Sequence, residues 1–583
     1  MTYENDMLDA QKYLQQGNYK RSLKAALSAS RKSPGSAVAA NITGIATSAT
    51  GRPGDAIKYF QKALKLTPDF PDAQKNFAQT LILIGRPGVA VAQLAKLAIR
   101  TPADWKVWYL KAQAELALGR EKDGLASADR ALALTATSVT VHHLRSTINL
   151  SLGHIKDAID DLYAALKINP EDVVALTNLS LPLARQTRYE EALEVVQEAV
   201  DLAPTNVAAR YRLATQFVEM GRSEDGIFHY NAILDMQPDH AGALEQLTLL
   251  LSKAEVAALE PKIQMALKKV AKNSEDRASL FYALSAALSA QEKPLDADKM
   301  LGLANKEMAN LLPYDPVADA DVTRAILGRF SAILESGGKT STAPYPVFVI
   351  GLPRSGTTLV EAVLGAHPHV APLGERGTAG FLLRDIIEQD LPFTRNDAVE
   401  MIREDQRLMP DLPKGTIAYV DKMPENYRLV GFLKSAYPNA RIINVRRDPR
   451  DIALSMWKSH FSGTALSYTY DWDRMAFRFN LYAQSMAHWK TVLPGQILDV
   501  HYKDLVEDVE ATGRRMAAFC DLEWHGAMAR PDLNATQVLT YSATQLRRPV
   551  HTDSIEKWRK NPDLLTPFVK GLDRTLWGDY LSD

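Results

Sequence analysis

Two glycines five residues apart, with an arginine between them and two threonines after them, are the residues of this 583-residue chain best placed to do chemistry. In Gly351-Leu-Pro-Arg-Ser-Gly-Thr-Thr358 the glycines let the backbone turn tightly, so that successive N–H groups and the positive end of the following helix converge on a phosphate-like anion. Arg354 adds a planar donor fork, and Ser355, Gly356, Thr357 and Thr358 share the loop. Three further charged groups each follow a short apolar run: Asp421-Lys422-Met423-Pro424, Arg446-Arg447-Asp448-Pro449-Arg450-Asp451 and His501-Tyr502-Lys503-Asp504. One such cation alone is usually a solvated surface group. Gathered at the carboxyl ends of strands, where open α/β sheets bind ligands, the set suits a ligand with more than one anionic group.

The elements that would position these residues are legible around them. Residues 347–350 read as a strand buried on both faces, and Leu359, Val360, Val363 and Leu364 recur at helical spacing. Residues 416–420, 440–445 and 496–500 repeat the short apolar run, separated by longer amphipathic stretches, which predicts a central parallel sheet flanked by helices. The Gly351 to Gly356 spacing is that of a P-loop, but a nucleoside triphosphatase would continue with Lys and then Ser or Thr. Thr357 and Thr358 stand there instead, which argues against simple ATP or GTP hydrolysis and leaves a kinase-type enzyme as a rival.

The first 240 residues have a different grammar. Gly17, Gly51, Gly85, Gly119, Gly153, Thr187 and Gly221 are spaced by 34, and each is followed seventeen residues later by Pro, or by Ala at 136. Five residues after each turn stands a small residue: Ser22, Ala56, Ala90, Gly124, Ala158, Ala192 or Gly226, which lets two helices approach closely. This pattern resembles the tetratricopeptide repeat, a helix–turn–helix unit that stacks into a solenoid. Seven units are clear, and Ser285, Ala297 and Ala304 keep the offsets of a degenerate extension. The organisation expected is an all-α solenoid over 1–310, a connector over 311–344 with one helix around Asp321 to Leu334, and an α/β domain over 345–583. A solenoid suggests a protein or peptide partner in its groove; a spacer or homodimerisation arm is the plainer alternative.

Net charge is −1, so bulk electrostatics favour neither nucleic acid nor an anionic membrane. The single Cys520 excludes an internal disulfide or a cysteine metal cage. No run of 18 apolar residues and no basic-then-apolar leader occurs, which reads as a cytoplasmic chain.

Pro353-Arg-Ser-Gly-Thr-Thr358 resembles the 5′-phosphosulfate loop of sulfotransferases, and Arg447 with Ser455 eight residues later is similar to their 3′-phosphate motif. The resemblance covers roughly 345–560, and implies a P-loop-like sulfotransferase fold that uses 3′-phosphoadenosine 5′-phosphosulfate and releases adenosine 3′,5′-bisphosphate without a metal. Three segments narrow it to the tyrosylprotein sulfotransferases and their repeat-bearing bacterial relatives: Gly374-Glu375, Asp421-Lys422-Met423-Pro424, and Ser542-Ala-Thr-Gln-Leu-Arg-Arg-Pro-Val550 followed by Ile555-Glu-Lys-Trp558. The resemblance makes Glu375 the base. It gives Arg354, Lys422 and Ser542 the stabilisation of the transferring group and bridging oxygen. Nucleotide binding falls to Arg354, Ser355, Gly356, Thr357, Thr358, Arg447, Ser455, Tyr502 and Lys557. No other carboxylate is expected near Glu375. Lys458 and Ser459 depart from the family, whose animal members have a further Arg there. The acceptor is expected to be a peptide hydroxyl, with tyrosine as one form; a glycan, a lipid-linked sugar and a non-catalytic nucleotide-sensing scaffold are the alternatives. His367 is expected to end a helix, and Tyr468, Tyr470 and Trp472 to form a substrate-side loop or lid, with plain packing as the alternative.

Overall fold

The computed structural model describes residues 2–334, 344–461, 463–533 and 549–581. The chain divides into two compact units, Met1–Pro182 and Leu183–Asp583. In the first, helices alternate with tight turns in pairs such as Tyr3–Gln15 with Tyr19–Lys32 and Ala37–Ala49 with Pro53–Leu66. The small residues after the turns are the reason the pairs close: Ala56, Ala90 and Ala158 are fully buried. Every turn position of the repeat has positive φ, from +69° to +83° at the glycines and +60° at Thr187, the one position where the residue carries a Cβ.

The second unit begins with the same grammar in Tyr189–Leu202, Val207–Glu219, Ser223–Met236 and Ala241–Leu250. The frame then slips through two short helices, Lys253–Ala258 and Glu260–Leu267, before the long pair Glu275–Ala290 and Pro294–Leu311. The connector helix runs over Pro316–Arg329, earlier than expected, because Asp315 accepts the N–H groups of Val317 and Ala318 and Pro316 fits the first turn. Phe330 follows it into the core, edge-on to Phe432 at 4.9 Å.

Beyond it lie five parallel strands: β1 (Tyr345–Gly351), β2 (Val370–Pro372), β3 (Ala418–Asp421), β4 (Arg441–Arg446) and β5 (Ile497–His501). Their order is β2-β3-β1-β4-β5, with Val347 opposite Val420 and Gly351 opposite Val445. The chain leaves β1 towards one edge and leaves β4 towards the other, so a crevice opens beyond the carboxyl ends of these two strands. Alternate residues face opposite layers: Val347 and Val349 join Val360, Ile443 and Val500 on one side. Phe348 and Ile350 join a core on the other side that also contains Phe281, Tyr282, Leu301 and Met308. The last repeat helices therefore share a core with the sheet, and the division between units falls ahead of the boundary near 310 read from the repeats. Cys520 is buried, which pushes its thiol up to about 12. Among the described residues no helix is long and apolar enough to cross a membrane.

Candidate active site

β1 runs into a loop in which Arg354 and Gly356 both have positive φ, +68° and +107°, and helix Thr357–Gly365 starts immediately afterwards. A Cβ at Gly356 would press into the Tyr502 ring, so glycine is required for space as well as for conformation. No side chain caps this helix, which leaves its first N–H groups turned towards the loop as donors for an anion. Ser355 is fully buried, and its Oγ has no hydrogen-bond partner among the described residues.

β4 delivers the second cationic group. Arg447 donates from Nη1 to the Arg354 carbonyl at 3.0 Å and from Nη2 to the Ser554 carbonyl at 2.6 Å, and its guanidinium lies 4.6 Å from the centre of the Tyr502 ring. Its buried Nε has no partner among the described residues. Asp448 accepts the Arg450 N–H at 2.8 Å and, with Pro449 next, starts helix Pro449–Trp457. That helix carries Ser455, whose Oγ accepts from Arg354 Nε at 3.0 Å. Asp451 accepts the N–H groups of Glu556 and Trp558 at 2.8 and 3.1 Å and thereby ties the chain around Lys557 to the same helix. Burial raises the pKa of that carboxyl.

These elements enclose a cavity of about 530 Å³. Arg354, Gly356, Thr357 and Thr358 line one part of it; Arg447, Ser455, Lys458, Ser459, Tyr502 and Lys557 line the rest, with Lys560 and Asn561 at their side. Burial lowers the pKa of Lys458. Of the nucleotide-binding residues expected, all but the buried Ser355 face this one space. Lys560 and Asn561 were not expected; the basic run Lys557-Trp-Arg-Lys560 was the available signal.

A separate corner forms where β3 ends. Lys422, with no exposed side-chain surface, donates to Glu375 Oε1 at 2.5 Å, while the Glu375 side chain remains 44% exposed. Neither lines the 530 Å³ cavity. The loop bearing Glu375 is held on both sides: Glu361 Oε1 accepts the Gly374 N–H at 2.7 Å, and Arg376 pairs with Asp405 at 2.9 Å in a buried ion pair. The expectation that no other carboxylate stands nearby is corrected here. Glu361 comes from the helix that starts at the phosphate loop, and burial pushes it up to about 6. Asp421, the neighbour of Lys422, is fully buried and pushed up to about 7 by the same cause, with Oδ1 unpartnered among the described residues. Glu361 and Arg376 carry no motif, because a lone Glu inside a helix and an Arg in a loop read as surface groups.

Two aromatic expectations are also resolved. Tyr468 and Tyr470 are buried, and Trp472 starts helix Trp472–Val492 with its ring stacked 4.0 Å from Trp457. They are core and not a lid, since a buried ring pair removes far more apolar surface from water than an exposed loop would. His367, buried just past the end of its helix, accepts the His369 N–H at 3.2 Å. Ser542 lies outside the described residues.

Residues 346–526 match the sulfotransferase family. Residues 9–71, 49–114, 146–207 and 183–248 match tetratricopeptide repeats. An uncharacterized protein of Aquifex aeolicus (strain VF5) is 28% identical over 318 residues, which is 51% of this chain and 41% of that protein, so less than half of that relative is spanned. A putative protein-tyrosine sulfotransferase of Caenorhabditis briggsae is 27% identical over 232 residues, 36% of this chain and 80% of that one. Protein-tyrosine sulfotransferase A of Caenorhabditis elegans is 25% identical over 250 residues, 40% and 65% of the two chains. The chain thus joins tetratricopeptide repeats to a domain of the sulfotransferase family.

Proposed function

We propose that the second unit is a sulfotransferase that moves a sulfuryl group from 3′-phosphoadenosine 5′-phosphosulfate to the hydroxyl of a peptide or protein. One observation carries this reading: a single cavity has the phosphate loop on one wall and a separate cationic group of Arg447, Lys458 and Lys557 on another. A nucleotide with anions at both its 5′ and 3′ positions would engage both groups of donors.

In the proposed reaction the acceptor oxygen forms a bond to sulfur as the bond from sulfur to the bridging phosphate oxygen breaks. The hydroxyl proton passes to Glu375. Negative charge that develops on the bridging oxygen is met by the loop N–H groups and Arg354, with Lys422 and Ser542 assigned to the same task by resemblance. Arg447, Ser455, Tyr502 and Lys557 hold the nucleotide.

A peptide acceptor, with tyrosine as its leading form, is supported by two relatives named as protein-tyrosine sulfotransferases and by a solenoid suited to extended chains. Calorimetry tests the donor: adenosine 3′,5′-bisphosphate should bind more tightly than ATP, and a preference for ATP would sink the reading. Transfer of labelled sulfate to a tyrosine peptide, with a glycan as the competing acceptor, tests the rest.

A further inference from the structure

The wall of the cavity that carries Lys458 and Ser459 is fastened from behind by the helical repeats. Helix Pro449–Trp457 ends at Trp457, whose carbonyl is one of those a helix leaves without an internal partner. Asn305, fully buried in helix Pro294–Leu311, donates to it at 3.0 Å across 152 residues of sequence. The same amide donates to the Leu301 carbonyl at 2.9 Å and accepts from the Tyr282 hydroxyl at 2.9 Å, so its orientation is fixed by three bonds. Two residues past Lys458, His460 stacks on Tyr282 at 5.1 Å and sits 3.1 Å from the Glu245 carboxylate, with Ser279 and Glu275 also facing it. The adjoining segment is held in the same way: Asn561, next to Lys560, donates to Asp298 of the repeat helix.

We propose that Asn305 and Asp298 are positioning residues of the donor site. The last repeat helices then set how well the cavity recognises a 3′-phosphate, in addition to docking on the domain. A surface that only docked would need apolar packing. Here that packing is present, and beyond it a buried asparagine is spent on one helix-end carbonyl beside the cavity and an aspartate on the adjoining segment, which together fix the distance between Lys458 and Lys560. The inference rests on the sulfotransferase reading above, because it takes that end of the cavity to be the 3′-phosphate end.

The test is the ratio of affinities for adenosine 3′,5′-bisphosphate and adenosine 5′-monophosphate, measured by calorimetry on the full chain. Asn305→Leu and Asp298→Ala should each lower that ratio about tenfold, the worth of roughly one lost hydrogen bond to a site that holds charge. Monophosphate affinity should stay within twofold, and Asp298→Asn, whose side-chain oxygen still accepts from Asn561, should restore the ratio. Equal weakening of both ligands, or an unchanged ratio in the half-buried Asp298→Ala variant, overturns the proposal and leaves the donor assignment standing. A wild-type chain that binds the two nucleotides equally overturns both.

Discussion

The donor cavity and the Glu375 corner are built in opposite ways. In the cavity, Arg447 donates to two backbone carbonyls and Arg354 to the Ser455 hydroxyl. In the corner, Lys422 and Glu375 hold each other, and the buried acids around them are pushed towards their neutral forms. On the proposed reading, the difference is that one half of the site is arranged before any ligand arrives, whereas the other would change partners during transfer. Preorganised dipoles cost no rearrangement when charge develops, and a half-exposed carboxylate already paired with a lysine leaves one oxygen for an incoming hydroxyl.

Substitutions can break this contrast. Glu375→Ala should lower kcat by about 10² to 10⁴, the range of a lost general base, with bisphosphate affinity within a few-fold; unchanged turnover removes the base assignment. Arg447→Ala should do the reverse, weakening bisphosphate binding by roughly 1.5–3 kcal/mol, on the order of 10- to 150-fold, with kcat at saturating donor largely kept. If both variants lost binding and turnover together, the two halves would not be separable. Gly356→Ala forces a Cβ into Tyr502 at positive φ, a strain of about 1–3 kcal/mol, and should weaken the bisphosphate and ATP alike. The smallest effect is one of pH. Burial works to lower the pKa of His460, but its bond to Glu245 and the charges of Glu245 and Glu275 outweigh this and raise it above 6.5. Its contribution to stability is therefore fully present below pH 6.5 and is lost as pH rises through the higher folded value. Urea midpoints of the wild type and His460→Gln should differ most below pH 6.5 and converge in alkali; a constant difference contradicts the linkage.

How much of this was legible follows the range of the interactions. The phosphate loop, the 34-residue repeat and strands β1, β3, β4 and β5 are written in local spacing, so they could be read directly. β2 has three residues, too few for a period to show. The support beneath Glu375 could not be read, because Glu361 and Asp405 reach its loop from helices whose approach only the tertiary fold decides. Asn305 was invisible for the same reason: its partner lies 152 residues away. The aromatic run at 468–472 was misread because alternating rings look alike in a lid and in a core until their neighbours are known.

One detail of the repeats bears on how the chain comes apart. Helix Val173–Arg185 contains Pro182, and the turn after it holds Thr187 at a φ that every other repeat gives to glycine. A stacked array melts at its weakest coupling between neighbours, and a proline inside a helix forfeits about 3 kcal/mol while a threonine in the left-handed region adds about 1–2 kcal/mol of strain. Both fall within five residues of the division at Pro182 and Leu183. Heating should therefore give two calorimetric peaks, which Thr187→Gly would draw together; a single sharp peak would show that cooperativity runs through the array unbroken.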